Sequence, residues 1–315
     1  MKHLRIALSS TFLFFAIVNL NHAIALEIDW DGSIGQGEHK YIPALSNPLF
    51  NETPYITTEV RPIFIHQTME SQNTPIGGGL FGGDINLVAA EVRIALTDNL
   101  GIIATKDGYA WIDFDTATNA VTDDPEGFAN IAFGLKYAFW NNVEDQSILT
   151  FGVKYEPPTG GLSIDTALPY PFDNVDLNQS GDGFINPFLS GAKRFGKVGV
   201  QGSIGANFAI DDDHDSSMVH YTLHTDYAFT ENVYPMLEFN GFTIFDHGTR
   251  TPVTFDGVDL VNLGCSADCG TVLTVAGGLR IRATDHILLG AGIEKSIARD
   301  DLLDWRSYFD MIIHF

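Results

Sequence analysis

The sequence predicts an all-β fold, a transmembrane antiparallel β-barrel of about twelve strands that follows an N-terminal signal peptide. Three observations support this prediction: the alternating pattern of the last strand, the apolar stretch near the N-terminus, and a series of hairpins in which short turns and longer loops alternate. Ten or fourteen strands are also compatible with the pattern, because single strand boundaries are defined only to within a few residues.

The last strand has one apolar and one polar face. Every second residue counted back from the C-terminus is apolar: Phe315, Ile313, Met311 and Phe309. The opposite face is polar except at Ile312 and carries His314, Asp310, Tyr308 and Arg306. A transmembrane strand needs this pattern because one face meets lipid and the other meets the lumen. The terminal Phe315 resembles the signal that the barrel-assembly machinery recognises, so we expect that machinery and outer-membrane lipid as partners.

The N-terminus has the organisation of a signal peptide. Residues 1–5 are basic, residues 6–18 are mostly apolar, and residues 21–25 (NHAIA) contain an A-x-A site, so we expect cleavage after Ala25. The apolar run is shorter than the roughly 20 residues of a spanning helix, although a retained anchor is the alternative. The expected organisation is a signal peptide at 1–25, an irregular segment at 26–53 that plugs the barrel or lies in the periplasm, and the barrel at 54–315.

The chain is strongly acidic, with 17 Lys and Arg against 40 Asp and Glu, a formal net charge of −23. Removing Lys2 and Arg5 with the signal peptide makes the mature chain more negative by two charges. This balance excludes nucleic acid as a partner, since phosphates require a basic surface. The acids cluster in predicted loops, near 123–126, 211–215 and 300–301. We interpret them as solvated loops rather than metal sites, although binding of divalent cations stays open.

Turns of two lengths alternate along the chain. Short turns occur near 97–101, 141–146, 195–199, 230–232 and 284–286, with long connections near 67–83, 113–127, 157–182, 211–217, 246–270 and 299–303. Short periplasmic turns and long outer loops are typical of outer-membrane barrels. The predicted strands are 54–66, 84–97, 100–112, 128–140, 147–157, 183–195, 198–210, 218–229, 232–245, 271–283, 286–298 and 304–315.

Charged residues fall on the predicted inner face of these strands. Those expected to line the interior are Glu59, Arg61, Glu91, Arg93, Lys136, Lys154, Glu238, Arg280 and Arg282. Acids and bases nearly balance on this face, which leaves two interpretations. The charges either form an ion-pair network that fills a narrow interior or line a hydrated pore that selects solutes by charge. Apolar residues of the long 157–182 loop either pack against other loops or form an entry site for an apolar ligand.

Cys265 and Cys269 are the only cysteines, and we expect them to form a small loop disulfide in an oxidising compartment. We expect neither a metal site nor a cofactor, because two thiols and an adjacent carboxylate are too few ligands.

Three stretches in the middle third of the chain resemble the outer-membrane transporter family named for the meta-pathway of phenol degradation. They are residues 134–139 (GLKYAF), 152–160 (GVKYEPPTG) and 186–196 (NPFLSGAKRFG). The resemblance implies passage of small apolar or aromatic compounds across the outer membrane of a Gram-negative bacterium. It implies no catalytic or binding residues.

Two other functions compete with a channel. The first is a closed structural or adhesion barrel that acts through its acidic outer loops. The second is a rim hydrolase of the omptin type, for which Asp113 and Asp115 would face Asp212 and His214 across the barrel mouth and activate water. We expect no enzyme, since such pairs arise by chance in Asp-rich loops.

Overall fold

The computed structural model describes residues 40–72, 81–115, 122, 124–167, 173–177, 181–251, 253–266, 269–299 and 302–315. The expected signal peptide and the first half of the irregular segment, residues 26–39, lie outside these residues. No helix in this part of the chain is long and apolar enough to cross a membrane.

Twelve antiparallel strands close into a barrel. The strands are numbered in chain order, and the numbers β4, β7 and β8 belong to three short strands of the loops described below. The bounds of the barrel strands are β1 Glu59–Gln72, β2 Phe81–Ala95, β3 Leu100–Phe114, β5 Phe133–Asn142, β6 Ser147–Glu156, β9 Phe184–Phe195, β10 Val198–Ala209, β11 Ser217–Tyr227, β12 Val233–Asp246, β13 Thr271–Arg282, β14 Ile287–Ala298 and β15 Trp305–His314. Each strand pairs with the next barrel strand in the chain, and β15 returns to β1, where Glu59 lies opposite His314. The predicted fold class and strand number are confirmed.

The first and fourth strands differ most from the sequence prediction, and the first also ends later than predicted, at Gln72 rather than residue 66. The predicted fourth strand is divided into β4 (Glu126–Phe128) and β5, and each pairs with a different half of β3. The first strand begins at Glu59 rather than near residue 54, because the residues before it lie inside the barrel and bond to its wall. A further hairpin, β7 (Ser163–Asp165) and β8 (Asn174–Asp176), lies in the loop between β6 and β9.

The outer wall is apolar because strand residues alternate between the two faces. In β5, Phe133, Leu135 and Tyr137 are each about half exposed, whereas Lys136 between them is 1% exposed. The same alternation runs through β11, where Tyr221 and Leu223 point outward and His224 points inward. The outward side chains form the surface that meets lipid.

The two ends of the barrel differ. The turns between β2 and β3, β5 and β6, β9 and β10, β11 and β12, and β13 and β14 all lie at one end, together with Glu59 and His314. We call this the short-turn end and the other the long-loop end. The long-loop end is covered by residues 253–265 of the β12–β13 connection, here called the lid loop, in which nearly every residue is buried.

Candidate functional site: the occupied lumen

The barrel lumen is occupied by the chain's own residues 40–58, here called the lumen segment. Every residue from 41 to 58 is buried, and most have no regular secondary structure. The segment enters at the short-turn end, where Lys40 N–H donates to Gln146 Oε1 (2.9 Å). It turns back at Asn47, which has a positive φ of 49° and whose carbonyl accepts from the amides of Phe50 and Asn51. It then returns to the short-turn end and continues as β1.

Wall side chains satisfy the backbone of the lumen segment. Arg280 donates to the carbonyls of Pro43 (3.0 Å) and Ala44 (2.7 Å), and Arg61 donates to those of Ala44 (3.1 Å) and Leu45 (3.2 Å). Further along, Lys154 Nζ donates to the Leu49 carbonyl. Buried carbonyls need such partners wherever no strand or helix supplies them. The inward cations of the wall therefore hold the segment in place.

Glu52 is the charged anchor of the lumen segment. Its carboxylate accepts from Arg93 through Nε (2.9 Å) and Nη2 (3.1 Å), and from Lys136 Nζ (2.9 Å). All three side chains are at most 3% exposed. A bidentate guanidinium and an ammonium on one buried carboxylate form a strong, geometrically specific contact.

The ion pairs continue around the wall from this anchor. Arg93 Nη1 also contacts Glu59 (3.0 Å) and Glu91 (2.9 Å). Arg61 contacts Glu91 (3.3 Å), and its Nε donates to Asp310 (2.6 Å). Arg280 pairs with the same Asp310 carboxylate and is the last member of this series of ion pairs. Together with Lys136 on β5, these contacts link five strands: β1, β2, β5, β13 and β15. Such paired charges fit a water-poor interior because each is compensated by another.

A second carboxylate holds the other side of the segment. Glu238 on β12 accepts from the amides of Leu45 (2.8 Å) and Ser46 (2.7 Å), and it contacts His224 Nδ1 (2.7 Å). Asn240, on the same strand face, donates to Ser46 Oγ (3.0 Å). The bend of the segment is thus fixed from both the β1–β2 and the β12 sides of the wall.

The interior changes character toward the long-loop end. The inward residues of β1 and β2 become Ile63, Ile65, Ile85 and Leu87, which pack with the lid loop and with Leu49 in one apolar cluster. We call this region the apolar chamber. It contains a cavity of about 30 Å³ lined by Leu49, Ile85, Leu87, Ala89, Gly108, Ala110, Ala129, Leu162, Leu260 and Val261. That volume is about the share of one water molecule in the liquid, so the chamber is nearly filled.

The lid loop is tied to the barrel by polar contacts. Arg306 on β15 pairs with Asp259 of the lid loop through Nη1 (2.9 Å) and Nη2 (2.7 Å). Asp256 accepts from Ser216 Oγ (2.6 Å) and from the amide of Leu263 (2.8 Å), and burial raises the pKa of its carboxyl. These contacts hold the lid loop over the apolar chamber.

Asp215 precedes β11 beside the lid loop and is 2% exposed. Burial raises the pKa of its carboxyl to about 6, although the nearby Arg250 guanidinium (3.3 Å) opposes the shift. The long-loop end therefore contains a carboxyl group that titrates close to neutral pH.

The predicted lining residues lie at two places. Eight are buried on the inner face, where they contact the lumen segment or one another: Glu59, Arg61, Glu91, Arg93, Lys136, Lys154, Glu238 and Arg280. Arg282 lies at the short-turn end in a cleft with Lys40. That these side chains line a pore stays a prediction. The sequence analysis gave a plug as one of two alternatives for residues 26–53 but did not single out Glu52, because an irregular segment has no periodicity that marks its inward residues.

The residues considered for a rim hydrolase do not form one site. Asp113 is exposed and accepts from Asn86 Nδ2 (3.2 Å), while His214 pairs with Asp211 (3.0 Å) in the loop after β10. The strands β5, β6 and β9 separate β3 from β10 in the barrel. Within the described residues, no contact joins the two predicted pairs.

Cys265 and Cys269 form a disulfide, as predicted. A ring nitrogen of His247 lies within 4.8 Å of both sulfurs. Since the two sulfurs are bonded to each other, this group has only one free ligand atom. The expectation that no metal site is present stays a prediction.

Comparison with known proteins shows the fold. No family model and no curated protein matches the chain. An outer-membrane channel of Pseudomonas putida F1 is similar in structure, with a TM-score of 0.59 and 15% identity over 86% of this chain and 100% of that chain. The translocator domain of the autotransporter NalP from Neisseria meningitidis gives 0.49 with 9% identity over 81% and 88%. The CymD monoaromatic hydrocarbon channel gives 0.45 with 7% identity over 82% and 89%.

Proposed function

We propose that the protein is a channel for small apolar or aromatic molecules in the outer membrane of a Gram-negative bacterium, and that the lumen segment closes it. The short-turn end then faces the periplasm. One observation carries this proposal: beneath an apolar chamber, the lumen is filled by an irregular segment that polar wall side chains hold. Inward side chains alone fill barrels of about eight strands, so a twelve-stranded barrel without this segment would have an open lumen.

Closure of this kind is reversible in principle. The described contacts between the lumen segment and the wall are hydrogen bonds and ion pairs, together with apolar packing in three separate clusters that include Leu49, Ile56 and Ile42. When the segment leaves, the wall charges lose partners that water can replace, so a hydrated passage is the natural open state.

The apolar chamber supports the solute class. Binding sites for small molecules are mostly apolar with a few polar groups at defined positions, and here an apolar layer lies directly above a ring of charges. The cavity in the described state is too small for an aromatic ring, so the lid loop must move for a solute to enter. The resemblance to the phenol-degradation transporter family points to the same class, and we propose that the chain belongs with that family.

The first test is conductance of the mature chain, residues 26–315, in a planar bilayer. We expect discrete steps that are rare, because the segment is seated most of the time. The second readout is uptake of a radiolabelled monoaromatic hydrocarbon by cells with and without the protein. A folded barrel with neither conductance nor uptake would favour the closed structural or adhesion barrel instead.

A further inference from the structure

We propose that a basic cleft at the short-turn end binds small organic anions that combine a carboxylate with an apolar body. This site is separate from the apolar chamber. The inference rests on the proposed function in one respect, namely that a solute leaving the lumen passes the cleft.

The basic cleft is a built feature of the barrel mouth. It has a volume of about 610 Å³ and lies between the β9–β10 turn, the β11–β12 turn, the end of β13 and the entry of the lumen segment. Gly196 in the first of these turns has a positive φ of 59°, a conformation that favours glycine and keeps the turn tight. The walls are therefore short, hydrogen-bonded turns and strand ends.

The cleft is basic, although the chain as a whole is acidic. Four cations line it, Lys40, Arg194, Lys197 and Arg282, against the single carboxylate of Glu231. The whole chain carries a formal charge of −23. A concave surface of one sign concentrates ligands of the opposite sign. An anion is thus the ligand that this end of an acidic protein is suited to bind.

Arg194 has a structural part in the cleft. Its guanidinium pairs with Asp226 and donates to the carbonyls of Lys40 (3.2 Å) and Lys197 (3.3 Å). It therefore fixes the backbone of two of the other cations, while its own charge is neutralised. Preorganised cations lose less entropy when a ligand binds.

Lys197 and Arg282 form no ion pair with any described residue. Among the residues that the structure describes, no carboxylate lies within 4 Å of either side-chain cation. Two other surface lysines differ in this respect: Lys193 contacts Asp145 (2.6 Å), and Lys295 contacts Asp304 (2.7 Å). Among the described residues of the short-turn end, the cations without an ion-pair partner thus lie around one cavity.

The floor of the cleft is apolar, which narrows the ligand class. Ile42 and Tyr234 are buried there in a cluster with Leu288 and Ile312, and Ala228 packs against it. The Tyr234 hydroxyl donates a hydrogen bond to the Glu231 carbonyl (2.5 Å), so only the ring of Tyr234 is available to contact a ligand. Cations above an apolar floor match a ring or short chain that carries a carboxylate, better than they match an inorganic anion.

The test is calorimetric titration of the refolded chain 26–315 in a non-ionic detergent at pH 7. The probes are benzoate, benzyl alcohol with the same ring but no charge, and inorganic phosphate. We expect saturable binding of benzoate that weakens with added salt, and at least tenfold weaker binding of the other two. Benzyl alcohol binding as tightly as benzoate would overturn the role of charge. Equal binding of phosphate would overturn the role of the apolar floor and point to a phosphate headgroup.

Variants locate the site. Arg282→Gln and Lys197→Gln should each weaken benzoate binding about threefold, and together about tenfold, which is the effect of one partly exposed charge each. Lys295→Gln removes the same charge at the long-loop end and should leave binding unchanged. Unchanged binding in the double variant would overturn the assignment. Binding is measured at equilibrium without transport, so a chain that binds benzoate but never conducts would contradict the proposed function and not this site.

Discussion

The lumen segment should be released by a single substitution at its charged anchor. Glu52→Gln keeps the size of the side chain but removes the charge that Arg93 and Lys136 share. Removing one member of a buried ion pair costs about 3–5 kcal/mol, because the other charge stays buried without compensation. We expect the low end of this range, since Arg93 keeps Glu59 and Glu91. About 3 kcal/mol corresponds to a roughly hundredfold rise in the unseated fraction.

The assay is open probability in planar bilayers. Glu52→Gln should open on the order of a hundred times more often than the wild type at equal single-channel conductance. Glu144→Gln is the matched control, because it removes the same charge from an exposed turn at the same end of the barrel. Heat-modifiable migration on a gel verifies that both barrels are intact. An intact Glu52→Gln barrel that opens as rarely as the wild type would refute the anchor.

Three further predictions concern the ends of the barrel. The raised pKa of Asp215, about 6 against an ordinary value near 3.9, means that the protonated form suits the buried site. The long-loop end should therefore be most stable below about pH 4 and lose stability as pH rises through 6. The measurement is the rate of proteolysis at this end, divided at each pH by the rate for Asp215→Asn. This ratio should be lower at pH 4.5 than at pH 7.5. Equal ratios at the two pH values would contradict this. Replacing Cys265 and Cys269 by Ser should destabilise their loop by about 2 kcal/mol, the value for a ring this short. Hydrogen exchange should then rise in that loop, and a change throughout the barrel would contradict a local role. Phe315→Ala should lower the amount of assembled protein in cells without slowing refolding in detergent, whereas Phe309→Ala should leave assembly unchanged; equal loss in both variants would argue against a terminal signal.

Strand periodicity predicted most of the fold. Lipid on one side and a polar interior on the other impose a strict two-residue alternation, so Lys136 between Leu135 and Tyr137 was assignable to the inner face from sequence alone. The division of the fourth strand was not, because Asn130 and Ala132 continue the same alternation through the break. Side-chain patterning records which face a residue occupies and not whether its backbone is paired.

The contents of the lumen were less predictable. The balance of inward charges was visible, but the partner that completes it, Glu52, lies in a segment without periodicity. The apolar chamber was also missed, because Ile63 and Ile65 alternate with residues that are only partly exposed. Both features depend on which distant segments meet inside the barrel, and local patterns do not encode that meeting.

The most direct test of the closed lumen is a reversible tether between the lumen segment and the wall. Ser46 Oγ and Asn240 Nδ2 are 3.0 Å apart, so Ser46→Cys with Asn240→Cys places two thiols within reach of each other. We predict that the oxidised double variant stays silent in planar bilayers and that a reductant restores openings, while the wild type, taken through the same cycle with its own disulfide, does not change. Openings in the tethered barrel as frequent as those in the reduced form would contradict the claim that residues 40–58 close the channel.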